Sequence, residues 1–175
     1  MTNSLDFAPA ALPIDDSAAL QRVRMDDHDE LFGIVSEEFD RLDPWLKLTE
    51  KWGEKKAADV CMEADELSMC GRGADFWMVQ GADKAGYVEL RPERRFDYAW
   101  SMTYWVRSSF TGQQLARRAI GTMSNFVFSE QDADSLVFWI GPKNIGSQRC
   151  AMQSGAVIVP GVVVDGNQAW RLDRE

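Results

Sequence analysis

The stretch SSFTGQQLARRAIGTM, Ser108 to Met123, joins a predicted strand to a predicted helix. Apolar residues recur at helical spacing after Gly112, so we expect a helix that begins directly after a turn. A helix N-terminus offers unpaired N–H groups and a partial positive charge, which favour an anion such as pyrophosphate. Gln113 and Gln114 add polar side chains, and Arg117 adds charge. The stretch therefore indicates either a phosphate site or an ordinary helix start.

A second stretch, GPKNIGSQR at Gly141 to Arg149, follows the apolar strand predicted at 135–140. Asn144 is a good N-cap for a short helix over 145–153. Ser147 lies three residues into that helix and faces back toward the strand ends. Taken alone, capping and packing account for this stretch.

The clearest strand signal is FDYAWSMTYWV at 96–106. The residues alternate, so that one face carries Asp97, Ala99, Ser101 and Thr103 and the other is apolar. The apolar face needs a cover, which the helix after Gly112 can provide. Its residues are Phe96, Tyr98, Trp100, Met102, Tyr104 and Val106.

The remaining elements follow from the spacing of apolar residues. Their order, one strand, two helices, three strands, and then helix, strand, helix and two strands, is typical of a mixed α/β sheet protein. The first helix is expected to end at Asp43-Pro44. The predicted strands are 20–25, 75–80, 85–90, 156–164 and 168–172, and the other helices are 26–42, 52–69 and 115–127.

The length and composition are those of one globular domain, with 175 residues, 45% hydrophobic and 27% charged. Residues 1–19 contain neither a basic region nor an unbroken apolar run, so they match neither a signal peptide nor a membrane anchor. We interpret them as a short leader before a single domain at 20–175. The expected location is the cytoplasm, with no membrane partner.

The sequence lacks the residues that several classes of functional site require. The cysteines, Cys61, Cys70 and Cys150, are widely spaced and have no histidine companions, which argues against disulfides and a zinc site. The single histidine, His28, gives little support to histidine-based triads or metal sites. No Walker-type loop and no G-x-G-x-x-G motif occur in the sequence. A metal centre and a dinucleotide enzyme are therefore not predicted.

The charge is unevenly distributed along the chain. Residues 26–66 contain 14 of the 28 acidic residues and five basic ones, a net charge of −9, and the rest of the chain is neutral. This segment would repel nucleic acid, so no direct nucleic-acid binding is expected. It either attracts a cationic substrate or consists of solvated helix faces.

Taken together and in this order, the two stretches resemble a known family. YWVRSSFTGQQLARRAI, followed by PKNIGSQRCAMQSGA, is similar to the acetyl-CoA signature of the GNAT N-acetyltransferase superfamily, and within it to the RimJ/RimL-like branch of ribosomal-protein N-terminal acetyltransferases. VRMDDHDELFGIV and DPWLKL are similar to that branch's opening strand, first helix and tryptophan-bearing connection. The resemblance covers roughly residues 20–172. It implies the GNAT fold, α/β (α+β), with a mixed, mostly antiparallel sheet of about seven strands and about four helices.

The resemblance also implies a site. Acetyl-CoA would lie in a V-shaped split between the strand ending at Val106 and the strand 135–140. Backbone groups near Trp105 and Val106 would hold pantetheine and polarise the thioester carbonyl. Asn144 would bind the pantetheine arm or the amine, and Ser147 would protonate the departing thiolate while a free amine attacks directly. The pyrophosphate would lie against Gly112, Gln113, Gln114, Leu115, Ala116 and Arg117.

The chain departs from the family pattern at the loop. The pattern has Arg or Gln, then Gly, then Gly or Ala, where this chain has Thr111, Gln114 and Ala116. Gln114 thus places a side chain where the backbone usually approaches the phosphates closely.

A second departure concerns the group that takes the proton of the amine. The branch often has a glutamate at the position of Ser101, and serine has no useful basicity near neutral pH. Glu89 on the neighbouring strand and Asp97 are the alternatives. Trp45 and Trp52 lie where the family has its substrate-gating segment.

Two functions stay open at this point. The first is an N-acetyltransferase that uses acetyl-CoA and acts on a primary amine, either a protein N-terminus or a small cationic amine. The second is a GNAT-fold module with weakened catalysis that acts as a CoA sensor or a protein-interaction partner. Either would be a monomer or a homodimer.

Overall fold

The computed structural model describes residues 8–48 and 52–175, which form an eight-stranded sheet with α helices packed against it. The strands are β1 (Ala11–Asp15), β2 (Ala18–Arg22), β3 (Ala74–Gln80), β4 (Asp83–Glu93), β5 (Ala99–Val106), β6 (Ser135–Ile140), β7 (Val157–Val164) and β8 (Asn167–Asp173). The α helices are α1 (His28–Glu37), α2 (Phe39–Leu46), α3 (Glu54–Met69), α4 (Leu115–Glu130) and α5 (Ile145–Gln153). Short 3-10 helices lie at Met25–Asp27 and Ser108–Phe110.

The strand order is β1-β2-β3-β4-β5-β6-β8-β7. Neighbouring strands are antiparallel except for β5 and β6, which run parallel. A parallel pair needs a crossover connection, and α4 supplies it. The start of α4 therefore follows closely on the end of β5. In residues 8–48 and 52–175, no helix is long and apolar enough to cross a bilayer.

The larger core lies between the sheet and α4. The apolar stripe of α4 recurs at helical spacing and buries Leu115, Ile120 and Met123 against Phe76 and Phe138 of the sheet. Each of these side chains is at most 1% exposed. Burial of such side chains contributes roughly 1.5–3 kcal/mol each, which fixes α4 on the sheet.

The smaller core lies on the side of α1, α2 and α3. Leu31, Leu42 and Cys61 from these helices pack around Trp77 and Tyr87 of the sheet. The rings of Trp77 and Tyr87 meet edge to face, with centroids 5.1 Å apart. These contacts fix Tyr87, which supports the end of β5 described below.

A buried polar group lies in this second core. Asp75, 2% exposed, accepts hydrogen bonds from Tyr87 Oη at 2.7 Å and from an Nη of Arg91 at 2.5 Å. Glu89 lies 3.8 Å from the Nε of Arg91. Burial raises the pKa of Asp75 above its ordinary value, and the donors from Arg91 and Tyr87 offset only part of this cost of burial.

The predicted mixed α/β architecture is confirmed. The strand 135–140 and the helix 145–153 have the predicted bounds, and α4 begins at the predicted Leu115. There are eight strands where about seven were expected, because β1 was not predicted. The boundary drawn at residue 20 does not follow the sheet, since β1 and the start of β2 lie within the predicted leader 1–19.

The helix predicted at 26–42 is interrupted. α1 ends at Glu37, Glu38 leaves the helical conformation with φ −100° and ψ 6°, and α2 then runs through Pro44 to Leu46. The prediction that Asp43-Pro44 ends the helix was wrong. The break occurs instead at Glu38, whose carboxylate accepts hydrogen bonds from the chain just beyond β5.

The strand predicted at 96–106 begins only at Ala99. Tyr98 has a left-handed φ of 49° and is 74% exposed, and Asp97 lies in the exposed turn before it. The alternation of the sequence continues through this turn, although the strand does not. The expectation that Asp97 shares a strand face with Ser101 was therefore wrong.

Candidate active site

β5 and β6 separate after a short parallel pairing. Ala99 to Ser101 pair with Ser135 to Val137, and no further pairing between the two strands occurs in the described residues. β5 continues to Val106 and β6 to Ile140, so the ends of both strands border an open split. This geometry matches the V-shaped split that was expected.

The peptide groups of Val106 point into this split. The N–H of Arg107 donates to the carbonyl of Ala85 on β4 at 2.8 Å. Because hydrogen-bonded pairs alternate along an antiparallel ladder, Trp105 bonds with Tyr87 and Val106 faces away from β4. Of the two residues predicted to present backbone groups, Val106 is the one that does so.

The N-terminus of α4 presents a row of unpaired amides. Within the described residues, the N–H groups of residues 112 to 117 donate to no protein acceptor, and the first bond of this helix joins Arg118 N–H to Gln114 C=O at 3.0 Å. The partial positive charge of the helix end is added to these donors. We call the N–H groups of residues 112 to 117 the amide cradle.

Two residues in left-handed conformations shape the amide cradle. Gly112 has φ 78° and Gln114 has φ 57°. Glycine adopts this conformation without strain, whereas a glutamine pays a cost of about 1–2 kcal/mol. The left-handed conformation thus explains why the family pattern has a glycine at this position. Gln114 adopts the same conformation although it is not a glycine.

We predict that Gln114→Gly stabilises the protein and tightens CoA binding. The substitution removes the left-handed strain but adds entropy to the unfolded chain, so the net gain is about 0.5–1 kcal/mol. Urea denaturation and calorimetric titration with CoA test both effects. Gln113→Gly is the control, because Gln113 has no left-handed φ and its Oε1 accepts from Gln80 at 2.9 Å. Weaker CoA binding by Gln114→Gly would show instead that the glutamine side chain contacts the ligand.

α5 brings Ser147 and Asn144 to the split. Asn144 caps the helix, with its Oδ1 accepting from the N–H of Ser147 at 3.2 Å. The side-chain hydroxyl of Ser147 faces the phenol of Tyr104, and a hydrogen bond between the two side chains acts to lower the pKa of Tyr104. Tyr104 Oη donates to the carbonyl of Ser147 at 3.4 Å, and burial raises the pKa of Tyr104, which keeps this phenol protonated. The sequence analysis did not single out Tyr104, although its place in the Y-W pair was a signal.

One cavity of about 400 Å³ connects these parts. It runs from α2 across the end of β5 to the amide cradle and α5. Of the predicted site residues, Gln113, Glu89 and Asp97 do not line it. Those that do are Trp105, Val106, Gly112, Gln114, Leu115, Ala116, Arg117, Asn144 and Ser147.

The charged side chains that line the cavity are arginines. Arg117 lies at the amide cradle, Arg149 on α5 and Arg41 on α2, and no Asp or Glu among the described residues lines the cavity. The strongly acidic segment therefore does not present its carboxylates here. This finding supports the interpretation of that segment as solvated helix faces.

Glu89 and Asp97 lie away from the cavity. Glu89 points to the side of the sheet that α3 covers, where burial raises its pKa and the guanidinium of Arg91 opposes that shift. Asp97 lies in the turn before β5, and the first strand residue, Ala99, is already six positions, or roughly 20 Å along an extended strand, from Trp105. Neither carboxylate is placed to contact an amine in the cavity.

Aromatic side chains form the α2 side of the cavity. Trp45, 44% exposed, lies on α2 and Trp105 on β5, where it stacks on Tyr87 with ring centroids 5.8 Å apart. Trp52, also assigned to the substrate-gating segment, packs instead in the smaller core. Arg41 was not predicted, because nothing in the sequence near it indicates contact with β5.

Comparisons with known proteins agree with this geometry. Residues 18–157 match the family described as Acetyltransferase (GNAT) domain. Mycobacterium smegmatis RimJ, in complex with CoA-disulfide, is 19% identical with a TM-score of 0.77, covering 95% of this chain and 86% of that one. No curated protein matches the chain in sequence.

Two further solved structures share the fold. The Salmonella typhimurium acetyl transferase that modifies the N-terminal serine of ribosomal protein L7/L12 is 13% identical, with a TM-score of 0.81 and coverage of 94% of this chain and 99% of that one. The microcin C7 self-immunity acetyltransferase MccE, in complex with acetyl-CoA and AMP, is 11% identical, with a TM-score of 0.82 and coverage of 98% and 100%. At sequence identities this low, the similarity to these structures shows the fold alone. Since the family match extends over most of the sheet and includes both strands of the split, this chain belongs to the GNAT acetyltransferase domain family.

Proposed function

We propose that the protein transfers the acetyl group of acetyl-CoA directly to a primary amine. The observation that carries this proposal is the split between β5 and β6, which opens onto the unpaired amides of the cradle. A strand end, an anion site and a protonated hydroxyl thus border one cavity. Bound acetyl-CoA would supply an activated thioester and a thiolate leaving group.

Each part of the cavity has a role in this proposal. The amide cradle and Arg117 bind the diphosphate, because they combine unpaired N–H donors with positive charge. The N–H of Val106 donates to the pantetheine arm or to the thioester carbonyl, which it polarises, while the C=O of Val106 accepts from Arg41. Asn144 keeps its side-chain NH₂ available to the pantetheine arm or the amine, since its Oδ1 is engaged with the helix. Ser147 donates a proton to the thiolate.

The proton of the attacking amine leaves through water in this proposal. Neither Glu89 nor Asp97 lines the cavity, and Ser101 cannot act as a base near neutral pH. An amine that enters unprotonated needs no protein base. The rate should therefore rise with pH until the amine is deprotonated.

The acceptor that we propose is a protein N-terminus or a small amine. The location that we propose is the cytoplasm. Trp45 and Trp105 offer apolar surface beside the split, which suits a side chain or an aromatic group next to the amine. The solved neighbours include an enzyme that acts on a ribosomal protein N-terminus and one that confers immunity to microcin C7. A monomer or a homodimer is compatible with this acceptor class.

Two observations favour a second function. Gln114 holds a strained conformation at the floor of the amide cradle, and the cavity lacks a carboxylate among the described residues. A module that binds CoA without efficient turnover, as a sensor or an interaction partner, would tolerate both features. Binding without turnover distinguishes it from the enzyme.

The deciding experiment is calorimetric titration with acetyl-CoA and, separately, with CoA. We expect micromolar dissociation constants, after which primary amines and peptide N-termini are screened for thiol release. Binding without thiol release from any amine would favour the sensor. No binding at millimolar CoA would contradict both functions.

Ser147→Ala is expected to lower turnover without weakening CoA binding. General acid catalysis contributes about 10²–10⁴ in rate, so kcat should fall about 100-fold while the CoA dissociation constant stays within about twofold. Steady-state kinetics and titration with CoA measure the two effects. Ser129→Ala is the control, because Ser129 is on the same kind of helical backbone but bonds only Asn125. Unchanged turnover would remove Ser147 from the mechanism.

A further inference from the structure

The junction between α1 and α2 holds the end of β5 through a set of short hydrogen bonds. Glu38, 8% exposed, accepts from the N–H of Ser108 at 2.9 Å and from its Oγ at 2.7 Å. Arg41 Nε donates to the same carboxylate at 2.5 Å. Arg41 also donates through Nη2 to the carbonyl of Val106 at 2.6 Å. We call these four residues, Glu38, Arg41, Val106 and Ser108, the latch.

The carboxylate of the latch stays charged. Burial acts to raise the pKa of Glu38, but the hydrogen bonds from Ser108 and Arg41 outweigh burial and hold the pKa below its ordinary value. A buried charge of this kind costs free energy unless every partner is in place. The hydrogen-bond donors to the Glu38 carboxylate that lie outside α2 all belong to Ser108. The charge therefore ties α2 to the chain just beyond β5.

The latch acts at the entrance of the amide cradle. Val106 is the last residue of β5 and presents its peptide groups to the split, and Ser108 begins the segment that leads to Gly112. The backbone N–H of Arg107 between them donates to Ala85 on β4 and holds this position, whereas the guanidinium of Arg107 meets only the largely exposed carboxylate of Glu37, at 3.1 Å. The entrance is thus fixed before any ligand binds, and the amides beyond it are left unpaired.

We propose that Glu38 and Arg41 are positioning residues that hold the entrance of the amide cradle in its CoA-binding geometry. This inference rests on the proposed function. Preorganisation of this kind lowers the entropic cost of binding, because the loop has already lost its conformational freedom. Loss of either residue should weaken CoA binding although neither belongs to the cradle.

The first test is CoA titration of four variants. Glu38→Gln and Arg41→Met should each raise the CoA dissociation constant about tenfold, since the loop must then be ordered on binding. Arg41→Lys keeps a donor for the Val106 carbonyl, so we expect a loss of less than about threefold. Glu37→Gln is the control, because it removes the adjacent charge from an exposed pair worth little. Constants within twofold of the unmodified protein for both Glu38→Gln and Arg41→Met would overturn the proposal.

The second test needs no ligand. The N–H groups of Ser108, Phe110 and Thr111 are hydrogen-bonded, so hydrogen exchange of a peptide spanning 107–111 reports the state of the entrance. Exchange there should accelerate in Glu38→Gln and Arg41→Met but not in Glu37→Gln, and exchange of the segment 135–153 should not change. Unchanged exchange at 107–111 would overturn the latch. If the unmodified protein does not bind CoA, the proposed function fails, while this measurement still decides whether the latch holds the loop.

Discussion

Replacing Gly86 with valine is expected to lower turnover about 100-fold while most of the sheet stays folded. Gly86 lies on β4 directly opposite Val106. A Cβ at this position would lie 2.5 Å from the carbonyl O of Trp105 and 3.1 Å from the Cα of Val106, which is too close. The end of β5 must therefore move away from β4 and alter the split. A displacement of about 1 Å at a catalytic site can cost 10² in rate.

Thiol release and CoA titration measure this effect, and circular dichroism checks that the fold is kept. We also expect a loss of stability of about 1–3 kcal/mol, as for other overpacked positions. Gly33→Ala is the control, because a Cβ at that exposed position of α1 meets no atom within 4 Å. That variant should gain about 0.5–1 kcal/mol. Full turnover by Gly86→Val would show that the end of β5 is not part of the catalytic geometry.

The parts of the fold that could be predicted are those with a strong local signal. α4 combines an apolar stripe with a turn at Gly112, and α5 combines the N-cap Asn144 with a short apolar pattern, so their first residues were predicted correctly. The strand 135–140 is a continuous apolar run in a buried position. In each case the local pattern and the tertiary environment favour the same structure.

The turn before β5 could not be predicted, because its sequence continues the alternation of the strand. Tyr98 occupies the left-handed region, which a tyrosine rarely adopts, and no glycine marks the position. The candidate base Asp97 followed from this false alternation. β1 was missed for a different reason, since its apolar alternation is limited to the half-buried Leu12 and Ile14 with a proline between them, which is too short a signal.

The latch and the α2 side of the cavity could not be predicted from sequence, because their contacts join distant positions. Arg41 reaches Val106 across 65 positions, and Glu38 reaches Ser108 across 70. In the sequence both residues lie in a run of charges that is typical of a solvated helix face. Only the break between α1 and α2 turns them toward β5.

Asp75→Ala is expected to be the most destabilising substitution in the smaller core. It leaves the hydroxyl of Tyr87 and the guanidinium of Arg91 without their shared acceptor in a buried region. Removal of one partner of a buried ion pair costs about 3–5 kcal/mol. Glu89, 3.8 Å from Arg91 Nε, still offers that cation a carboxylate, so we expect a value near 3 kcal/mol. Urea denaturation of the variant and the unmodified protein measures the difference.

The double variant Asp75→Ala with Arg91→Met separates two contributions to the loss of stability, the unpaired buried cation and the lost side-chain volume. Because the cost of the single variant comes chiefly from an uncompensated charge, removal of both charges should recover about half of it or more. Asp173→Ala is the surface control, since its pair with Arg171 is exposed and should cost less than about 1 kcal/mol. Tyr87 stacks on Trp105, so Asp75→Ala should also disturb the cavity wall and weaken CoA binding. A loss below about 1 kcal/mol for Asp75→Ala would mean that water or Glu89 replaces the carboxylate, and that the hydrogen bond to Tyr87 does not fix Trp105.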